Sequence, residues 1–123
     1  MKALIIRATA APSKAVEAKD INPDLDTYYD IIGCRLIDIV NYPIAGKRYD
    51  IICDDEGLFN PDPIVTAIDK EGRPLLVGSL IICSHDDEGY EKSLEPEDIN
   101  RLLNAVYCSV QNDEMHPVIM TDL

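Results

Sequence analysis

The chain has 123 residues, with 23 acids against 11 lysines and arginines for a formal net charge of −12. One domain of this length buries enough surface to build a core without disulfide or metal staples, and so negative a field works against binding nucleic acid phosphates or anionic membranes. With one Phe and no Trp, the core must be made of aliphatic side chains.

Residues 3–8 read as a first strand, and Ala10-Ala11-Pro12-Ser13 as a loop. Residues 14–21 alternate weakly through Ala15, Val16, Ala18 and Ile21 and read as a second, exposed strand. Asn22-Pro23-Asp24 opens a helix over 23–32, with Asn22 as cap and Pro23 in the first turn. Leu25, Tyr28, Tyr29 and Ile32 share one face of it, and Gly33 ends it. Residues 34–42 carry apolar side chains on both faces, as a strand partly covered on each side does. Residues 43–46 are a turn. Residues 48–54 alternate, with Tyr49, Ile51 and Cys53 on one face. Asp54-Asp55-Glu56-Gly57 is the next turn, with Gly57 free to take a positive φ.

Asp62 and Pro63 suit the start of a two-turn helix through Ile64, Val65, Ala67 and Ile68, although β-branched residues there also fit a strand. Residues 75–83 are almost continuously apolar and read as one central strand, interrupted by Gly78 and Ser79. An acidic connection follows over 85–92. Pro96 then sits at the head of a last helix, and Ile99, Leu102, Leu103, Val106, Tyr107 and Val110 form a 3.6-residue stripe along 99–110 that should bury Leu102, Leu103 and Val106. The expected architecture is α+β: a single small mixed or antiparallel sheet with two main helices packed on it. Residues 1–110 form that α/β domain, and 111–123 a C-terminal tail whose run Pro117-Val118-Ile119-Met120 offers an edge strand for a homodimer.

The catalytic inventory is thin. Glycine-rich phosphate loops, the Gly-x-Ser-x-Gly elbow and His-Glu-x-x-His are all missing. The cysteines at 34, 53, 83 and 108 lack the close spacing of zinc or redox pairs, so they read as thiols of the core, and no metal or cofactor is expected. Cys83 and His85 share a strand face, but surrounding acids disfavour a thiolate. The turns 54–57 and 86–89 lack the alternating ligands of a calcium loop. The apolar stretch before Arg7 is too short for a signal peptide, and no run is long enough to span a membrane, so the expected location is the cytoplasm of a bacterium or phage-infected cell.

Several passages are characteristic together: Ile31-Ile32-Gly33-Cys34-Arg35-Leu36-Ile37-Asp38-Ile39-Val40, then Asp54-Asp55-Glu56-Gly57-Leu58-Phe59-Asn60-Pro61-Asp62-Pro63-Ile64, then Leu76-Val77-Gly78-Ser79-Leu80-Ile81-Ile82, and Ser93-Leu94-Glu95-Pro96-Glu97-Asp98. Over roughly residues 1–108 the chain resembles a family of small domains of unknown function from phages, plasmids and other mobile elements. The resemblance implies a context and no activity: a non-enzymatic protein that counteracts host defence by binding a host protein or sequestering a signalling nucleotide. The alternatives are a small nucleotide-directed enzyme and an assembly protein. A nucleotide would need bases drawn from Arg7, Arg35, Lys47, Arg48, Lys70, Arg73 or Arg101. The expected ligand contacts are Tyr28, Tyr29, Arg35, Arg48 and Asn60. A protein partner is expected on Asp86, Asp87, Glu88, Glu91 and Glu95, because residues 86–98 hold seven acids and one lysine, half of the net charge of −12.

Overall fold

A computed structural model describes residues 1–8 and 14–123; the loop expected at 10–13 lies outside them. The structure corrects the single-sheet expectation: among the described residues the strands form two sheets, and the α-helices are two short ones. The elements in chain order are β1 (Lys2–Ile6), β2 (Val16–Asp20), α1 (Leu25–Ile32), β3 (Ile37–Ile44), β4 (Lys47–Asp54), β5 (Val65–Ile68), β6 (Pro74–Val77), β7 (Leu80–His85), β8 (Glu91–Lys92), α2 (Pro96–Leu103), β9 (Val106–Gln111) and β10 (Glu114–Met120). Sheet A runs β2-β1-β7-β4-β3, with β8 extending the far end of β7, and all its pairs are antiparallel. Sheet B runs β6-β5-β10-β9, with a parallel β5–β10 pair at its centre.

Period-2 alternation places sheet A between two covers. Leu4 and Ile6, Tyr49 and Ile51, and Leu80 and Ile82 face sheet B and α2, meeting Ala67, Ile119 and Leu102 in the larger core. Ala3, Ile5, Ile52, Ile81 and Cys83 point the other way, onto Tyr28 of α1. Burying one such aliphatic side chain contributes about 1.5–3 kcal/mol.

Six local expectations are overturned. Asp24, not Asn22, caps α1: its Oδ1 accepts from the Thr27 amide at 2.8 Å. Gly33 ends α1 in the left-handed region, as expected. Residues 64–71 are not helical: β5 and the turn to β6 occupy that stretch, because Val65, Thr66 and Ile68 are β-branched and β10 pairs with β5. The run 75–83 is two strands in two sheets, broken at Gly78, whose φ of +80° turns the chain from β6 to β7. Gly57 has no positive φ; it is glycine for space, since an added Cβ would lie 2.8 Å from Val77 Cγ2.

The fifth correction is the largest. The helix expected over 99–110 stops after Leu103, and Val106–Gln111 is a strand. Apolar positions 106 and 110 satisfy a strand face as well as a helix stripe, and pairing with β10 decides between them. Leu102 is buried as expected, Val106 is half-buried and Leu103 is exposed. The segment 114–120 lies inside sheet B with a neighbour on each side, where an edge strand was expected.

Candidate functional site

The expected ligand residues are dispersed. Tyr28 is buried in α1 with its hydroxyl unpartnered among the described residues, and burial, with Glu91 nearby, pushes that phenol up to about 12. Tyr29 is half-buried, and Arg35 is exposed beyond the helix end. Arg48 donates to the backbone and side-chain oxygens of Asn41, and Asn60 Oδ1 accepts from the Asp62 amide. None of these five lines the cavities described below.

The acidic segment is partly absorbed by local structure. Asp86 Oδ1 ties its own turn by accepting from the amides of Glu88 and Tyr90. Asp87 and Glu88 are exposed, Glu91 is half-buried in β8, and Glu95 begins α2. Asp98 points inward. Its Oδ1 accepts from Lys47 Nζ and from Tyr49 Oη, both at 2.8 Å, and its Oδ2 from the Glu95 amide at 2.9 Å. Burial by itself would raise this carboxyl, but those hydrogen bonds outweigh it and hold the group below the ordinary carboxylate value. The network fastens α2 to β4.

Cysteine chemistry is closed off in the core. Burial, with Asp50 and Glu91 adding to it, pushes Cys83 up to about 12, and burial with Asp38 pushes Cys53 to about 11. His85 Nδ1 faces Asp50 at 3.6 Å. Among the described residues, no group of three His, Cys, Asp or Glu is placed to hold a metal ion, and no helix is long and apolar enough to cross a membrane.

The outer face of sheet B holds a different constellation. The side chains of Tyr107, Ser109 and Gln111 on β9 and Val118 and Met120 on β10 alternate away from the core-facing Val106 and Ile119. With Val65, Ile68 and Pro74 they line an open apolar groove of about 340 Å³. Gln111 braces it: its amide donates to the Val65 carbonyl and accepts from the Val65 amide, taking a ladder position that β10 leaves empty. Next to it lies a cavity of about 330 Å³, sharing Tyr107 and Met120 with the groove and lined also by Lys70, Arg101 and Asn104.

Each cation there is positioned by its element. Asp69 Oδ1 accepts from the amides of Glu71 and Arg73 and shapes the β5–β6 turn that presents Lys70. No carboxylate among the described residues lies within ion-pair distance of Lys70. Arg101, in the last turn of α2, donates through one terminal nitrogen to Tyr49 Oη at 3.2 Å, and the same nitrogen lies 3.6 Å from Asp98 Oδ1, so this cation is shared with the α2 network. The one acid in the lining, Asp122, is occupied by the amides of Ala45 and Gly46. Lys70 and Arg101 are among the seven bases named from the sequence; Asn104, Tyr107 and Ser109 fall in the expected helix and Gln111 in the expected tail. Their alternation as a strand was the available signal.

One further surface is conspicuous. Leu58 and Phe59, the latter the only Phe, are 81% and 83% exposed on a short helical turn that follows Asp54, Asp55 and Glu56.

The family described as Domain of unknown function (DUF3846) matches residues 1–107. No curated protein and no solved structure matches the chain. The matched stretch takes in sheet A, both helices, Lys70, Arg101, Asn104 and Tyr107; Ser109, Gln111, Val118 and Met120 lie beyond it.

Proposed function

We propose that this chain, which belongs to the DUF3846 family, is a non-enzymatic binding protein that takes up a nucleotide-type small molecule on the outer face of sheet B and so withholds it from other proteins. The observation that carries this reading is the joining of two cavities through Tyr107 and Met120, one apolar and one holding Lys70 and Arg101, in a chain of net charge −12. Two cations gathered in one cavity against that background supply a local anion site. The apolar groove suits a flat ring, Tyr107 offers a stacking face, and Ser109 and Asn104 offer hydrogen bonds. The lining binds and orients; its charged groups, Lys70, Arg101 and the occupied Asp122, supply no acid–base pair for turnover. Withholding such a ligand is the sequestration expected from the mobile-element resemblance.

The test is calorimetric titration with AMP, GMP, their 3′,5′-cyclic forms, adenosine and inorganic phosphate. Nucleotides should bind at least tenfold more tightly than adenosine or phosphate, because each half of the site contributes upward of about 1.4 kcal/mol. Lys70→Ala and Tyr107→Ala should each weaken nucleotide binding by roughly tenfold while leaving thermal stability nearly unchanged. Equal binding of adenosine and AMP, or no binding below millimolar concentration, refutes the site. Product formation during the titration refutes its non-enzymatic part.

A further inference from the structure

We infer that β9 is an association edge through which two copies of this chain pair, antiparallel about a twofold axis, to join their B sheets into one. The argument starts from what protects the other edges. Edge strands invite pairing with foreign chains and are usually blunted with charge, proline or irregularity. β2 carries Glu17, Lys19 and Asp20 in five residues. β3 carries Asp38 and Pro43. β6 has four residues, begins with Pro74 and pairs with β5 through register shifts. β9 is the exception. Its six residues, Val-Tyr-Cys-Ser-Val-Gln, include no charge and no proline, in a chain that is 28% charged.

The backbone geometry makes the edge self-complementary. Asn112 and Asp113 form a two-residue turn with φ of +52° and +64°, so Gln111 and Glu114 close the hairpin as a hydrogen-bonded pair. Alternation then directs the amides and carbonyls of Tyr107, Ser109 and Gln111 to β10, and those of Val106, Cys108 and Val110 to the open side. A twofold axis through Cys108 sets Val106 opposite Val110 of a second copy, Cys108 opposite Cys108, and Val110 opposite Val106. Three pairs that each exchange two bonds satisfy every outward group from 106 to 110. Exposed apolar side chains flank the seam, Val110 at 68% and Met115 at 53%. On the outer face Tyr107 comes to lie beside Ser109 of the second copy. The β9 wall of the groove, open in one chain, is thereby continued by the other.

The same physics sets the strength. A six-residue strand pair buries less than the roughly 1,200–2,000 Å² of a stable interface, so association belongs in the micromolar range. Two chains of net charge −12 repel each other, so added salt should strengthen the dimer by screening.

The test uses the full chain without nucleotide, so its failure leaves the ligand reading standing. Sedimentation equilibrium from about 10 μM to 1 mM should show the mass rising from 13.7 kDa towards twice that value, at lower concentration in about 0.5 M NaCl than in about 0.05 M. Cys108 is the one exposed cysteine among the four, and directly opposed strand residues sit roughly 5.5 Å apart. A short bis-maleimide should therefore link Cys108 to Cys108, and Cys108→Ser should abolish the crosslink while keeping the mass. Cys108→Pro removes only an outward amide and should leave a folded monomer. Should that variant unfold, Val110→Glu places a charge on the seam at an already exposed position and should do the same. A monomer at every concentration and salt, or a dimer untouched by both folded edge variants and uncrosslinked at Cys108, overturns the proposal.

Discussion

Asp98→Ala is the sharpest test of how α2 is held. The side chain is 3% exposed and accepts from Lys47, Tyr49 and the Glu95 amide. Losing its bond to the Glu95 amide is equivalent to losing a helix cap, about 1 kcal/mol. Losing the charge-assisted bond from the buried Tyr49 hydroxyl costs about 2 kcal/mol, because Arg101 only donates to that oxygen and cannot accept its proton. Lys47 is 44% exposed, so its ammonium returns to water and adds less than about 1 kcal/mol. The total is about 3 kcal/mol, against about 5–15 kcal/mol for a whole domain. Urea unfolding followed by circular dichroism, with a slope of about 1.5 kcal/mol/M, should show the midpoint falling by about 2 M. The pH dependence carries a sign. The Asp98 carboxyl is held below its ordinary value, so its contribution is full above about pH 4 and is lost as pH falls through the lower folded value. The gap between wild type and variant should therefore close in acid. A loss under about 1 kcal/mol at neutral pH, or a gap that persists undiminished in acid, refutes the reasoning.

Gly57→Ala should destabilise by about 2 kcal/mol, because the new methyl meets Val77 Cγ2 at 2.8 Å; combined with Val77→Ala the cost should be less than additive, and strict additivity in urea unfolding would remove the steric explanation. Tyr28→Phe should be neutral or stabilising by up to about 1 kcal/mol, since the buried hydroxyl has no partner among the described residues; a clear loss in thermal unfolding would show that the hydroxyl is satisfied in solution.

Local chemistry was legible wherever one segment decides its own conformation. The alternation of Tyr49, Ile51 and Cys53 identified a strand and its core face, and Gly33 marked the end of α1. Pro96 marked the start of α2, and the apolar runs around Cys53 and Cys83 marked buried thiols. These signals are short-range: a period of two, a cap, a left-handed turn. The rest was settled by partners distant in sequence. Val106, Tyr107 and Val110 suit helix and strand equally, and only pairing with residues 114–120 made them β9. The run 75–83 could not show that its halves belong to different sheets, because Gly78 permits the turn without announcing which strands wait on either side. The candidate site follows the same logic. Lys70, Arg101 and Tyr107 each sit in a readable local element, but a cavity exists between them only because β5 runs parallel to β10 and the chain end closes over Ala45. Residue type and local period determined which side chains seek burial and where the chain turns. Sheet pairing, which depends on contacts across many residues, decided which of them meet.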